Sequence, residues 1–326
     1  MTEYRRLAER LDAREVILLD GAVGTQLQSK GVPINHMAWA ATALHSHPFT
    51  VRRMHEDYIA AGVDVITVNT YSAARHNLEP IGLGELTTEL NLRAVMLAQD
   101  ARDRAAKERP VWIAGSVSNY GLRVGVERDA AGYGYFQERT ETTEAQARAY
   151  LREQAEILAE AGVDLLLAES TGGSVHRKWV LEACLATGLP VWTGFKCRQE
   201  GEGGEVKVGY HADESLAARF DEVVALGGEV VTIFHSPIAA TSAALPIVQA
   251  KWKGPLGVYP EAERTDYIEA HRDPDQVTRV TPQDYVGVAR QWVGQGVQII
   301  GGCCGIELEH IRPLREALPS HVPVPG

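Results

Sequence analysis

The chain is short of several things, and each shortage removes a class of explanation. Among 326 residues there are 4 cysteines, two of them adjacent. That is no framework for a disulfide-stapled domain, so reduced, metal-binding or buried thiols are expected. No run approaches the roughly 18 uncharged apolar residues of a membrane helix. The opening stretch MTEYRRLAERLDARE (1–15) is charged and helical in pattern. It lacks the apolar core of a secretory signal, so a cytoplasmic location is expected. Positive charge is scarce too: 32 Lys and Arg face 43 Asp and Glu, a formal net charge of −11. Nucleic acids and anionic membranes are gripped by clustered Lys and Arg. The expected partners are therefore small molecules, with no nucleic acid and no membrane. Low-complexity segments are absent. GEGGE (201–205) reads as a loop, and the acidic stretch 260–276 as a solvated one. The composition is compatible with a homo-oligomer and does not specify one.

What is present is a repeat. AAGVDVITVNT (60–70), EAGVDLLLAES (160–170), ALGGEVVTIFH (225–235) and GQGVQIIGGCC (294–304) share one pattern. A glycine follows a helical stretch, strand-forming residues come next, and a polar residue stands where the strand should end. Glycine ends a helix in the left-handed conformation that other residues resist. A continuous apolar run suits a parallel strand buried on both faces. Between such runs lie helical patterns, for example 48–61 and 143–161, with apolar residues three and four apart. VILLD (16–20), VWIAGS (111–116), VWTGFK (191–196) and PLGVY (255–259) complete eight strand candidates. Eight alternating βα units over this length predict an α/β fold, a TIM (β/α)8 barrel forming one domain over 1–326. A doubly wound open sheet is the alternative.

The repeat supplies a register. Counted from Gly62, Gly162, Gly227 and Gly296, the seventh residues on are Asn69, Glu169, Phe234 and Cys303. The eighth are Thr70, Ser170, His235 and Cys304. Barrel active sites form at the C-terminal ends of strands, so the register brings these residues to one mouth.

Cys303 and Cys304 lie in GGCCG (301–305). A lone strand-end cysteine is more often a buried core thiol. Two adjacent ones among glycines, at a barrel mouth, point to a metal site. Zinc is the natural ion for thiolate and imidazole ligands and takes at least three protein ligands. His235 is the register's candidate for the third, and Cys197 competes with it. Cys184 sits in a helical run and reads as core. Glu169 and Asp20 are carboxylates at strand ends, where a substrate ligand or an acid or base is expected. For Asp20 a helix cap or turn role is the plainer alternative. These two are the candidate catalytic residues. Together with Ser170, Trp39 and Tyr71 they are the candidate substrate-binding residues, the aromatic pair offering a face to a methylated cation.

At LLDGAVGTQL (18–27), AES (168–170) and GGCCG the chain resembles the homocysteine S-methyltransferase family. The similarity runs from about residue 14 to 318 and takes in 60–74, AGSVSNYG (114–121), GVYP (257–260) and GGCCGIELEHI (301–311). The resemblance implies a TIM barrel in which Zn2+, held by three cysteines, activates the thiol of homocysteine. The methyl group would come from an onium donor of the S-methylmethionine, betaine or S-adenosylmethionine type, and the product would be methionine. It implies Cys303 and Cys304 as two of the three ligands. It assigns Glu169 to the substrate amino group, Asp20 to the same site, and Trp39 and Tyr71 to the surroundings of the donor.

The sequence departs from that pattern in two places. The family's third cysteine closes a strand of the form Gly-Val-Asn-Cys. Here the run is Thr232-Ile233-Phe234-His235. An asparagine common after the seventh strand is Glu261. Betaine enzymes often have a cysteine near the position of Cys197 that binds no metal, which favours His235 as the replacement ligand. Exchanging a thiolate for an imidazole removes one negative charge from the ligand set, weakening the bound sulfur as a nucleophile and strengthening the metal as a Lewis acid. A different thiol or selenol acceptor is therefore an open alternative. So are a zinc hydrolase or lyase and a barrel that binds thiol or metal without catalysis.

Overall fold

The structure, a computed structural model, describes residues 4–124, 141–209, 213–262 and 280–323. The apolar runs form β1 (Ile17–Leu18), β2 (Val65–Thr67), β3 (Trp112–Ser118), β4 (Leu165–Ser170) and β5 (Val191–Phe195). A three-stranded antiparallel excursion follows, made of β6 (Cys197–Gln199), β7 (Val206–Val208) and β8 (Glu214–Ser215). GEGGE is the turn between β6 and β7. The barrel resumes with β9 (Val230–Pro237), β10 (Leu256–Glu261) and β11 (Ile299–Ile300). Within the barrel all pairings are parallel, in the order β1-β11-β10-β9-β5-β4-β3-β2. A parallel bridge between Leu19 and Val65 brings the two ends together, so the sheet curls into a TIM barrel.

Strand alternation separates two cores. Ile17, Leu19, Trp112, Ala114, Leu165, Leu167 and Trp192 fill the barrel interior. Leu18, Ile66, Ile113 and Leu166 face the surrounding helices. The charged N-terminal stretch is a helix (Tyr4–Asp12) whose Tyr4, Leu7 and Leu11 join the interior cluster. Trp192 Nε1 donates to Tyr4 Oη at 3.2 Å. The two helices expected at 48–61 and 143–161 are Pro48–Ala60 and Glu144–Glu160. All four repeat glycines have positive φ, from +88° to +131°, as helix-ending residues should. Among the described residues no helix is long and apolar enough to cross a membrane.

Candidate metal centre and substrate pocket

The strands deliver their last residues to one cavity of about 90 Å³, lined by Asp20, Trp39, Asn69, Tyr71, Glu169, Phe234, His235, Cys303 and Cys304 among others. The seventh register position faces inward on all four repeats. The eighth does so on two, His235 and Cys304. Ser170 is buried behind the cavity, its Oγ accepting from the Gly172 N–H at 3.3 Å and its carbonyl accepting from Arg177. Thr70 donates from Oγ1 to the Ser116 carbonyl at 2.7 Å. Regular alternation turns both away from the lumen.

His235 and Cys304 escape that rule for separate reasons. Tyr259 pairs with Phe234, but Glu261 pairs with Pro237, so β9 carries one more residue than β10 across this interval. That is a β-bulge. His235 sits in it at φ +44°, a conformation costly for a non-glycine residue. The bulge swings its imidazole into the mouth. On the other side, Gly301 N–H donates to the Val258 carbonyl, Gly302 N–H to Asp20, and Cys303 N–H to Pro260. The chain thus threads between β1 and β10 before it turns. A Cβ on Gly302 would stand 2.3 Å from Ile306 Cγ2, so only glycine fits there.

The result is a cluster. His235, Cys303 and Cys304 each offer a ligand atom within 4.8 Å of the others, the only such group among the described residues. Cys303 Sγ lies 3.2 Å from His235 Nδ1 and 3.9 Å from Cys304 Sγ. Zinc–ligand bonds at tetrahedral angles put two sulfurs about 3.8 Å apart, and sulfur and nitrogen about 3.5 Å apart. The donor set fits zinc in type, and the pair of sulfurs fits it in spacing. Cys197 takes no part: it is fully buried, its Sγ directed to the Phe195 carbonyl at 3.8 Å, and burial pushes its thiol up to about 12. Cys184 is core, its thiol likewise raised by burial.

The electrostatics of the cluster are coupled. Cys303 is pushed well above the ordinary thiol range by the neighbouring Cys304 sulfur and by burial. Burial opposes charge on His235, but Glu261 and Cys303 outweigh it and move the imidazole upward. Glu261 Oε2 lies 3.3 Å from His235 Nδ1, and Glu261 Oε1 is 2.9 Å from Lys196 Nζ.

Across the cavity stand the two acids. Asp20 accepts from the Thr67 N–H at 2.7 Å and from Thr67 Oγ1 at 2.9 Å. Burial nevertheless raises its carboxyl to about 8. Glu169 is raised by burial as well, against a hydrogen bond from Ser116 Oγ. A positive group placed beside them would return each to its carboxylate form. Trp39 also has a positive φ, +45°, and its indole lies against Gly24. Tyr71 packs on Tyr120 with ring centroids 5.5 Å apart, giving the mouth a second aromatic wall. The acidic stretch beyond residue 262, up to 276, lies outside the described residues.

Sequence reasoning overlooked Lys196, Thr67, Ser116 and Tyr259. For Lys196 a signal existed: a lysine ending the apolar run VWTGF is out of place in a buried strand unless paired. Thr67 and Ser116 carry no signal beyond their register.

A family model described as homocysteine S-methyltransferase matches residues 17–318. A selenocysteine methyltransferase from Astragalus bisulcatus is 28% identical over 94% of this chain and 94% of its own length. A homocysteine S-methyltransferase from Escherichia coli (strain K12) is 29% identical over 93% of this chain and 96% of its own. Among solved structures, the metallated form of the homocysteine methyltransferase MmuM from Escherichia coli is similar in fold. Its TM-score is 0.72 at 24% identity, covering 96% of this chain and 99% of that one.

Proposed function

The chain belongs to the homocysteine S-methyltransferase family, and from that premise we propose that it is a zinc-dependent enzyme. It moves a methyl group from a sulfonium or quaternary ammonium donor to the thiol or selenol of an amino acid, homocysteine being the first acceptor to test. The observation that carries the reading is the convergence of His235, Cys303 and Cys304 within 4.8 Å, in a cavity that Asp20 and Glu169 also line.

His235 Nδ1 or Nε2, Cys303 Sγ and Cys304 Sγ would hold the zinc. Zinc there would keep the acceptor sulfur as a thiolate, nucleophilic at neutral pH. The remaining work falls to the chain. Glu169 and Asp20 receive the acceptor's ammonium group, fixing its sulfur end toward the cysteine pair. Trp39 and Tyr71 hold the donor cation against their ring faces. The apolar walls exclude water and hold donor and acceptor in line at near-attack distance. As the new sulfur–carbon bond forms, the donor's heteroatom–methyl bond breaks and its electron pair stays on the donor, which leaves one charge less positive. The acceptor's proton departs when the acceptor binds.

The test crosses homocysteine and selenocysteine with S-methylmethionine, betaine, S-adenosylmethionine and dimethylsulfoniopropionate. Methyl transfer is followed by mass, and metal content is measured on the same preparation. Transfer that depends on zinc and on one donor class is expected. Turnover of a substrate with no thiol or selenol present would overturn the reading in favour of a hydrolase or lyase.

A further inference from the structure

Three consecutive staves of the barrel contribute a line of charge that the reaction above does not use. Lys196 follows β5, His235 sits in the bulge of β9, and Glu261 ends β10. Lys196 is 2% exposed and Glu261 8%. An ion pair so deep is costly unless both charges are well held. Here it is held: Nζ to Oε1 is 2.9 Å, and the second carboxylate oxygen, Oε2, is spent on His235 Nδ1 at 3.3 Å. Glu261 is not a member of the group whose donor atoms lie mutually within 4.8 Å. It touches the candidate ligand, not the candidate ligand cluster.

We propose that Lys196 and Glu261 are positioning residues for His235. Glu261 Oε2 and Cys303 Sγ both stand against Nδ1, so the carboxylate holds the proton on that nitrogen and commits Nε2 to the metal, while Lys196 fixes the carboxylate and cancels its charge. The inference rests on His235 being a metal ligand, as read above. The physical need is plain. A strained backbone at φ +44° sets the direction of the His235 Cα–Cβ bond but not the rotation of the ring. A carboxylate partner to a ligating histidine orients the ring and raises its basicity, and its loss typically lowers metal affinity by about 10- to 100-fold. A lone carboxylate beside two thiolates would repel them. The lysine makes the pair neutral overall, so the ring gains an orienting partner without added negative charge at the site. A cysteine at position 235 would need no such partner, since a thiolate has no ring to orient.

The experiment measures zinc affinity by chelator competition, and the visible spectrum of the Co2+-substituted protein, for E261Q, E261D, K196M and the double variant K196M/E261Q. Each is made in the natural background and in H235C. E261Q is expected to lower zinc affinity roughly 10- to 100-fold and to shift the cobalt bands. E261D should recover part of the loss. The double variant should lose no more than E261Q alone, because the lysine acts through the glutamate. In H235C, E261Q should leave affinity and spectrum unchanged. Equal losses in both backgrounds would overturn the proposal and make Glu261 a direct ligand or a purely structural residue. An unchanged E261Q in the natural background would overturn it as well. Should E261Q not fold, K196M/E261M removes both charges together and carries the same comparison. If H235A binds zinc as tightly as the natural protein, the metal reading itself has failed. If H235A loses zinc while E261Q keeps it, only the positioning role has.

Discussion

Thr67 holds Asp20 at both oxygens: its backbone N–H reaches Oδ2 at 2.7 Å and its hydroxyl reaches Oδ1 at 2.9 Å. These bonds favour the carboxylate, yet burial wins and the group stands at about 8 against an ordinary 3.8. The sign follows from proton counting. Between about pH 4 and 8 the folded chain keeps a proton on Asp20 that the unfolded chain has lost, so stability falls as pH rises through that window. Asp20→Asn should remove a slope of at most about 1.4 kcal/mol per pH unit from this range. Denaturant titrations at pH 5, 7 and 9 measure it. A slope as steep in the variant as in the natural chain would show that Asp20 is not the group responsible. The same variant should raise the KM for an amino-acid acceptor.

Gly24 is covered by the Trp39 indole so tightly that a Cβ would stand 2.1 Å from Nε1. Gly24→Ala should displace the indole from the mouth. We expect the KM for the onium donor to rise on the order of tenfold, the loss of roughly 1 kcal/mol of cation–π contact or more, with zinc content unchanged. Donor saturation curves beside metal analysis check both halves.

His235→Ala should leave the purified protein with substoichiometric zinc, and His235→Cys should retain the metal. A third variant separates ligation from backbone strain. His235→Gly also loses the ligand, but glycine tolerates φ +44°. Compared as metal-free proteins, it should be more stable than His235→Ala by roughly 1 kcal/mol. Equal stability would mean the bulge relaxes when the imidazole is removed.

His55 is fully buried in the helix Pro48–Ala60, and neither ring nitrogen has a hydrogen-bond partner among the described residues. Burial lowers it to about 4. In this case the unfolded chain takes up the proton first, so stability falls as pH drops from about 6.5 through 4. His55→Leu should flatten that acid limb. It should also stabilise the fold by about 1–3 kcal/mol, the cost of an unsatisfied buried polar group. Thermal unfolding at pH 4.5 and 7.5 reads both effects, and a variant less stable at both pH values would sink the argument.

Much of this was legible in the sequence because buried parallel strands and their helix-ending glycines follow local rules. Gly62, Gly162, Gly227 and Gly296 announce their left-handed φ, and the runs after them announce their burial. The mouth residues at the seventh register position follow from alternation alone. The eighth position is where local rules end. Ser170 and Thr70 obey alternation and turn away, while His235 and Cys304 enter the cavity through a bulge and a Gly-Gly thread. Both devices depend on packing between β9 and β10, and between β1, β10 and the Cys pair, which no single segment encodes. Lys196 and Glu261 meet only when β9 lies between their strands, so their partnership is invisible until the staves are in order. Cys197 was a credible rival for the ligand role until β6 carried it into the antiparallel excursion.

The threading of Gly301 and Gly302 between the first and last halves of the chain has a consequence for synthesis. The Cys pair lies just past the stave that seals the cylinder, 68 residues after His235. A nascent chain that has not released residue 304 owns an imidazole without its sulfurs. Acquisition of a zinc ion at this cluster would therefore be a late event, and a metal-loaded molecule would certify that its circle of strands has been completed.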